Sequence, residues 1–128
     1  SNEAYQTTPA KFGAKVQAMV DQYKVGEEAG IPIVKPPAGS DIYLLGRLWQ
    51  WYPILDLEKD KTYRLHLSSM DWQHGFSVQP VNINIQVVPG YEMVITMTPD
   101  SAGEYGIVCN EYCGIGHHMM VGKIYVKE

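Results

Sequence analysis

The sequence predicts an all-β sandwich or Greek-key barrel preceded by one helix. Three observations carry this. Short runs with strand-like alternation recur from Asp41 to the end of the chain. Pro/Gly turns punctuate them, as at Pro89-Gly90. Ahead of them lies one stretch whose apolar residues fall at helical spacing.

That stretch covers residues 8–29. Thr8 is suited to cap a helix and Pro9 to open it. Phe12, Val16, Met19 and Tyr23 would form one apolar face, and Gly26 and Gly30 weaken the end. From Ile31 to Ser40, Pro32, Pro36, Pro37 and Gly39 describe an extended connector. We therefore place a boundary at residue 40, with a helix and connector over 1–40 and a β domain over 41–128. Strands are expected at 41–48, 62–68, 81–88, 91–98, 104–108 and 121–127. The segment Val81–Val88 alternates most clearly, and Thr62–Ser68 places Arg64 and His66 on its polar face, so His66 is expected to be structural or solvated.

With 128 residues the chain suffices for one core. Lysine and arginine number 10 against 14 acidic residues, and no basic patch points to nucleic acid. No apolar run reaches the ~20 residues of a membrane helix, and the sequence, which opens at Ser1-Asn2-Glu3, contains no signal peptide. Membrane association is expected through an anchor outside this sequence or through a partner subunit.

The chemistry concentrates in one loop, Cys109-Asn-Glu-Tyr-Cys113-Gly-Ile-Gly-His117-His118-Met-Met120, which lies between two expected strands. Thiolate and thioether are soft ligands that favour Cu(I), and imidazole suits copper in either oxidation state. Such a set fits a metal that cycles between the two. His74, at a second strand boundary, would add another imidazole if the fold brings the two loops together. Three simpler readings compete. A Cys109–Cys113 disulfide leaves the histidines and methionine idle. A Cys2His2 zinc site of His74, Cys109, Cys113 and His117 has no use for Met120. A single blue-copper site leaves one cysteine without a role. His118 is expected to be a solvated neighbour.

From about Asp41 to Glu128 the sequence resembles the CuA domain of subunit II of haem-copper oxidases, close to the B-type. The family pattern is Cys-x-Glu/Gln-x-Cys-x3-His-x2-Met with an upstream Asp-x2-His. It is met by Cys109, Glu111, Cys113, His117 and Met120, with Asp71 and His74. The resemblance implies a cupredoxin-like fold and a binuclear copper centre. In it Cys109 and Cys113 bridge two copper ions, His74 and His117 cap one copper each, and Met120 and the Glu111 carbonyl are weak ligands. It also implies a magnesium ion at Glu111 in the assembled complex. Trp49, in Leu48-Trp49-Gln50-Trp51, matches a tryptophan through which electrons enter, although aromatic packing alone explains such a cluster equally well.

The implied function is electron relay without catalysis. The domain would take electrons from a c-type cytochrome or other redox protein and pass them to the haem of the catalytic subunit of a terminal oxidase. Its place would be the extracytoplasmic, periplasmic face of a bacterial membrane. A nitric oxide reductase with a similar subunit, and a free-standing copper carrier, are the other readings.

Overall fold

The computed structural model describes residues 2–128; Ser1 lies outside the described residues. Twelve strands and one helix follow in the order β1 (Asn2–Gln6), α1 (Pro9–Tyr23), β2 (Lys24–Glu28), β3 (Ile31–Val34), β4 (Asp41–Arg47), β5 (Gln50–Tyr52) and β6 (Ile54–Glu58). Then come β7 (Tyr63–Ser69), β8 (His74–Gln79), β9 (Ile83–Val87), β10 (Tyr91–Met97), β11 (Gly103–Cys109) and β12 (Val121–Lys127). A single 3₁₀ turn, His117–Met119, precedes β12.

Two sheets face each other. One has the order β1-β10-β7-β4-β5, the other β2-β3-β6-β12-β11-β8-β9. The sheets are mixed and not purely antiparallel: β4 runs parallel to β7, and β6 runs parallel to both β12 and β3. The cause is the crossing of the chain between layers. After the β4–β5 hairpin the chain passes to the other sheet as β6, then returns as β7 on the free side of β4.

The expected helix is real but shorter, ending at Tyr23 and not at residue 29. Its start is as expected. The Thr8 side chain accepts from the Lys11 N–H at 3.1 Å, and Pro9 occupies the first turn. Beyond Tyr23 the chain turns extended, and β2 pairs with β3 through Ala29 and Gly30, at φ 52° and 77°. Two consecutive positive φ values make a hairpin turn whose twist matches the strands. Glu27, Glu28 and Ala29 favour helix by local propensity, and the pairing with Ile31–Val34 overrides it. The connector therefore contributes a strand.

Six strands went unread in the sequence: β2 and β3, read as helix and connector, and four more. β1 pairs with β10 at the sheet edge, and β5 is only three residues long. In β8 the residues His74 to Val78 are all buried, and in β6 so are Ile54 to Leu57. A strand covered on both faces shows no polar alternation. β9, covered on one face only, was legible: Asn84 and Gln86 point outward, while Ile83 and Ile85 are half-buried.

The core runs through both layers and includes the helix. Phe12, Val16, Met19 and Val20 join Leu44, Leu55, Leu65, Leu67 and Ile107. Phe12 meets Tyr43 edge-on at 6.0 Å. At the other end Trp51, fully buried, meets Phe76 at 5.4 Å and the His74 ring at 6.0 Å, both edge-on. His66 is structural: its Nε2 lies 2.9 Å from Asp41 Oδ1 and its Nδ1 bonds Glu92. Lys15 of α1 reaches the same Glu92 at 3.3 Å. The His66 ring, then the Arg64 guanidinium, hold the Asp41 carboxyl below its ordinary value against the opposing effect of burial.

Phe12 has no exposed surface. Phe12→Ala should therefore cost about 3–5 kcal/mol, the usual range for a large aromatic cut back in a core. Denaturant unfolding checks this, with a lower midpoint at an unchanged slope. A loss below about 1 kcal/mol would show the helix to be an appendage and not part of the core.

Candidate metal centre

Three segments converge at one end of the sandwich. They are the β4–β5 turn with Trp49, the β7–β8 connection with Asp71 and His74, and the loop from Cys109 to Met120. Cys109 ends β11, paired with Phe76 of β8, so the sheet register sets one sulfur beside His74. The His74 ring, Cys109 and Cys113 are all buried, and one ligand atom from each lies within 4.8 Å of the others.

The two cysteines are free thiols with sulfurs 3.4 Å apart. Around Cys113 Sγ stand His117 Nδ1 at 3.7 Å and Met120 Sδ at 3.6 Å. The Cys109 thiol donates to the Glu111 carbonyl at 3.0 Å. Of the six residues read from the sequence as ligands, His74, Cys109 and Cys113 lie together, and the Glu111 carbonyl, His117 and Met120 each stand against one of the two cysteines. His118 is exposed, its ring 5.4 Å from that of His117.

His74 is aimed by its neighbours. Its Nε2 meets Asp71 Oδ1 at 2.7 Å, while Nδ1 is buried without a hydrogen-bond partner. A carboxylate behind one ring nitrogen fixes the tautomer that leaves the other free for a metal. Burial works to raise the Asp71 carboxyl, but the N–H groups of Leu48 and Trp72 and the His74 ring together hold it below its ordinary value. The bond from Leu48 N, at 2.8 Å, also ties the β4–β5 turn to the site.

Burial, then the neighbouring Cys109, push the Cys113 thiol up to about 12. The Cys113 thiol stays protonated at neutral pH until a cation displaces the proton. A dry pocket with two thiols, a thioether and an orphaned imidazole nitrogen fits a soft, redox-active metal ion. It suits copper better than zinc, which has no use for the thioether.

Trp49 is half-buried and its Nε1 donates to the Cys113 carbonyl at 2.9 Å. Its indole covers Gly116, where any Cβ would overlap the ring. Trp51 instead fills the core below His74, so the two tryptophans of the cluster divide between surface and interior. Trp72, 53 % exposed, reaches Gly114 together with Trp49: a Cβ there would touch both rings. The sequence reading gave Trp72 no role, and nothing in its spacing could have supplied one.

Asp71→Asn preserves shape and can still accept from Leu48 N, but it loses the charge behind His74. Copper affinity should fall about 10- to 100-fold, the usual effect of losing a ligand's supporting partner. Competition titration with a copper chelator measures it. Unchanged affinity would show that Asp71 serves the backbone alone.

Comparison with known proteins agrees with this geometry. The family model for the periplasmic domain of cytochrome c oxidase subunit II matches residues 44–127. Cytochrome c oxidase subunit 2 of Thermus thermophilus is 48 % identical over 93 residues, covering 72 % of this chain and 69 % of that protein. In a second T. thermophilus sequence the same match spans 55 % of the relative. The structure of the periplasmic domain of subunit II of cytochrome oxidase from Bradyrhizobium japonicum superposes with a TM-score of 0.64 at 22 % identity, covering 73 % of this chain and 87 % of that one. A rusticyanin variant gives 0.69 at 17 % identity, covering 98 % and 97 %. These likenesses establish the cupredoxin-like sandwich. With the buried His74–Cys109–Cys113 cluster and the family match in hand, the chain belongs to the cytochrome c oxidase subunit II family, as its periplasmic copper-binding electron-transfer domain.

Proposed function

We propose that the centre is binuclear, with two copper ions bridged by the thiolates of Cys109 and Cys113. His74 through Nδ1 and His117 would each hold one copper, with Met120 and the Glu111 carbonyl as weak donors. The observation that carries this reading is the pair of free thiols 3.4 Å apart in one buried pocket. A single copper would leave one thiol buried and idle, and a carrier would need its thiols accessible.

When bound, the copper pair supplies a one-electron couple spread over two metals and two sulfurs. The residues around it keep the geometry constant. β8 and β11 hold His74 and Cys109 in register, Asp71 locks the imidazole, and Trp49 bonds the Cys113 carbonyl. Burial of His74, both cysteines and Met120 excludes water, whose reorientation would otherwise accompany each change of charge.

Electrons would enter from a c-type cytochrome or other redox protein through the half-exposed Trp49 ring. The hydrogen bond to Cys113 gives a short bonded route inward. They would leave to the haem of the catalytic subunit. Glu111 could add one carboxylate to a magnesium ion in the assembled complex, since magnesium takes one or two protein carboxylates and keeps water for the rest. No described helix is long and apolar enough to cross a membrane. Attachment at the extracytoplasmic face of a bacterial membrane would come from an anchor outside these residues or from the partner subunit.

Metal analysis with EPR spectroscopy tests the centre. Two coppers per chain sharing one unpaired electron is the expected result, and Cys109→Ser or Cys113→Ser should abolish that signal, because a hydroxyl is a harder and less acidic donor. One copper with single-metal hyperfine structure, or a native spectrum surviving either substitution, would refute the bridge. For electron entry, Trp49→Ala should slow reduction by a c-type cytochrome severalfold in stopped flow, with both coppers retained. Equal rates would leave Trp49 as packing.

A further inference from the structure

The outward face of β9 is not idle surface. Asn110, the residue after Cys109, donates through Nδ2 to Asn84 Oδ1 at 2.8 Å, and Asn84 in turn donates to Asn82 at 2.9 Å. Gln86, two residues further along the same face, donates through Nε2 to Glu111 Oε1 at 3.1 Å. Below them the Asn110 N–H bonds the carbonyl of Gly75, the β8 residue paired with Gln86. A Cβ at Gly75 would overlap both Asn110 and Glu111, so the loop lies flat on the β8–β9 hairpin. Two consecutive residues of the cysteine loop are thus strapped by backbone to β8 and by side chains to β9, a strand that supplies no ligand.

The strap lies where orientation matters. Between Cys109 and Cys113 the Glu111 carbonyl points at Cys109 Sγ, 3.0 Å away. A peptide plane can rotate about its flanking bonds unless neighbouring groups hold it. The side chain of Glu111 is held on one side by Gln86, and the backbone of Asn110 is held on the other by Gly75. The Gln86–Glu111 bond joins a neutral donor to a carboxylate, the stronger, charge-assisted kind.

We propose that Gln86, with Asn84 beside it, is a positioning residue that fixes the direction of the Glu111 carbonyl and thereby tunes the potential and electronic asymmetry of the copper centre. This rests on the binuclear reading above. Weak donors set copper potentials out of proportion to the strength with which they hold the metal, and groups that orient them share that influence. Gln86 is exposed on an edge strand, so it can act this way with little weight in the fold.

The experiment uses the copper-loaded protein and four samples: the parent, Gln86→Ala, Gln86→Glu, and Gln86→Glu combined with Glu111→Gln. Copper counts and EPR of the parent come first; failure to find two coupled coppers there defeats the binuclear reading by itself. With that reading secure, Gln86→Ala should keep both coppers and the parent Tm. Its reduction potential should rise, since a loosened donor disfavours Cu(II), and its copper hyperfine pattern should change. Gln86→Glu should disturb the hyperfine pattern by setting two carboxylates face to face. The double substitution exchanges donor and acceptor at constant net charge and should restore both potential and spectrum. Unchanged potential and hyperfine pattern in Gln86→Ala and Gln86→Glu would overturn the proposal. So would loss of copper and Tm together in Gln86→Ala, which would make the residue structural, and so would a double substitution that recovers neither property.

Discussion

Two thiols have to sit side by side without joining, in a pocket that admits little water, and the rest of the structure follows from how that is achieved. The sulfurs come from one loop, and a free loop would let them collapse into a disulfide or drift apart. Here the loop is fastened at every stage. Cys109 is still in the β11 ladder, Asn110 is bonded to β8, Cys113 is bonded by Trp49, and a 3₁₀ turn delivers Met120 back to β12. The same packing that keeps the sulfurs apart keeps them dry. That burial makes the unmetallated Cys113 thiol reluctant to ionise, so metal binding there and release of its proton are one event.

Much of the site was legible in the sequence because metal ligands announce themselves by chemistry as well as position. Few arrangements place two cysteines, a histidine and a methionine at such intervals for a structural reason, and His74 follows Asp71 at a spacing that suits a supporting carboxylate. What could not be read was support from a distance. Trp51 beneath His74 and Gln86 beside Glu111 are ordinary residues in ordinary strands, and only the register of β8 with β9 and β11 brings them to the site. The fold divides the same way. A one-sided strand such as β9 shows its alternation, whereas β6 and β8, covered on both faces, show none. The helix end was misplaced because residues 24–28 obey a pairing partner and not their own propensity.

The N-terminal segment is more than a lead into the copper domain. The family match begins at residue 44, so this segment lies outside it. The β1-α1-β2-β3 unit is nonetheless built into the sandwich. Its helix lends four side chains to the core, and its first strand extends the sheet that carries β10. The cluster of His66, Glu92, Asp41 and Lys15 fastens it there from the polar side.

The Asp71 carboxylate touches the Leu48 N–H, the Trp72 N–H and the His74 ring at once. Leu48 directly precedes the ring that covers the centre, so one small side chain spaces that ring from the histidine behind the cysteines. The two cannot be adjusted separately. A change that improved the fit of an incoming protein by shifting the Trp49 turn would also turn His74, and a change that refined His74 would carry the turn with it. Divergence within such a domain is channelled outward, to Tyr112, Ile115 and Met119, whose exposed side chains can vary without pulling on that shared pin.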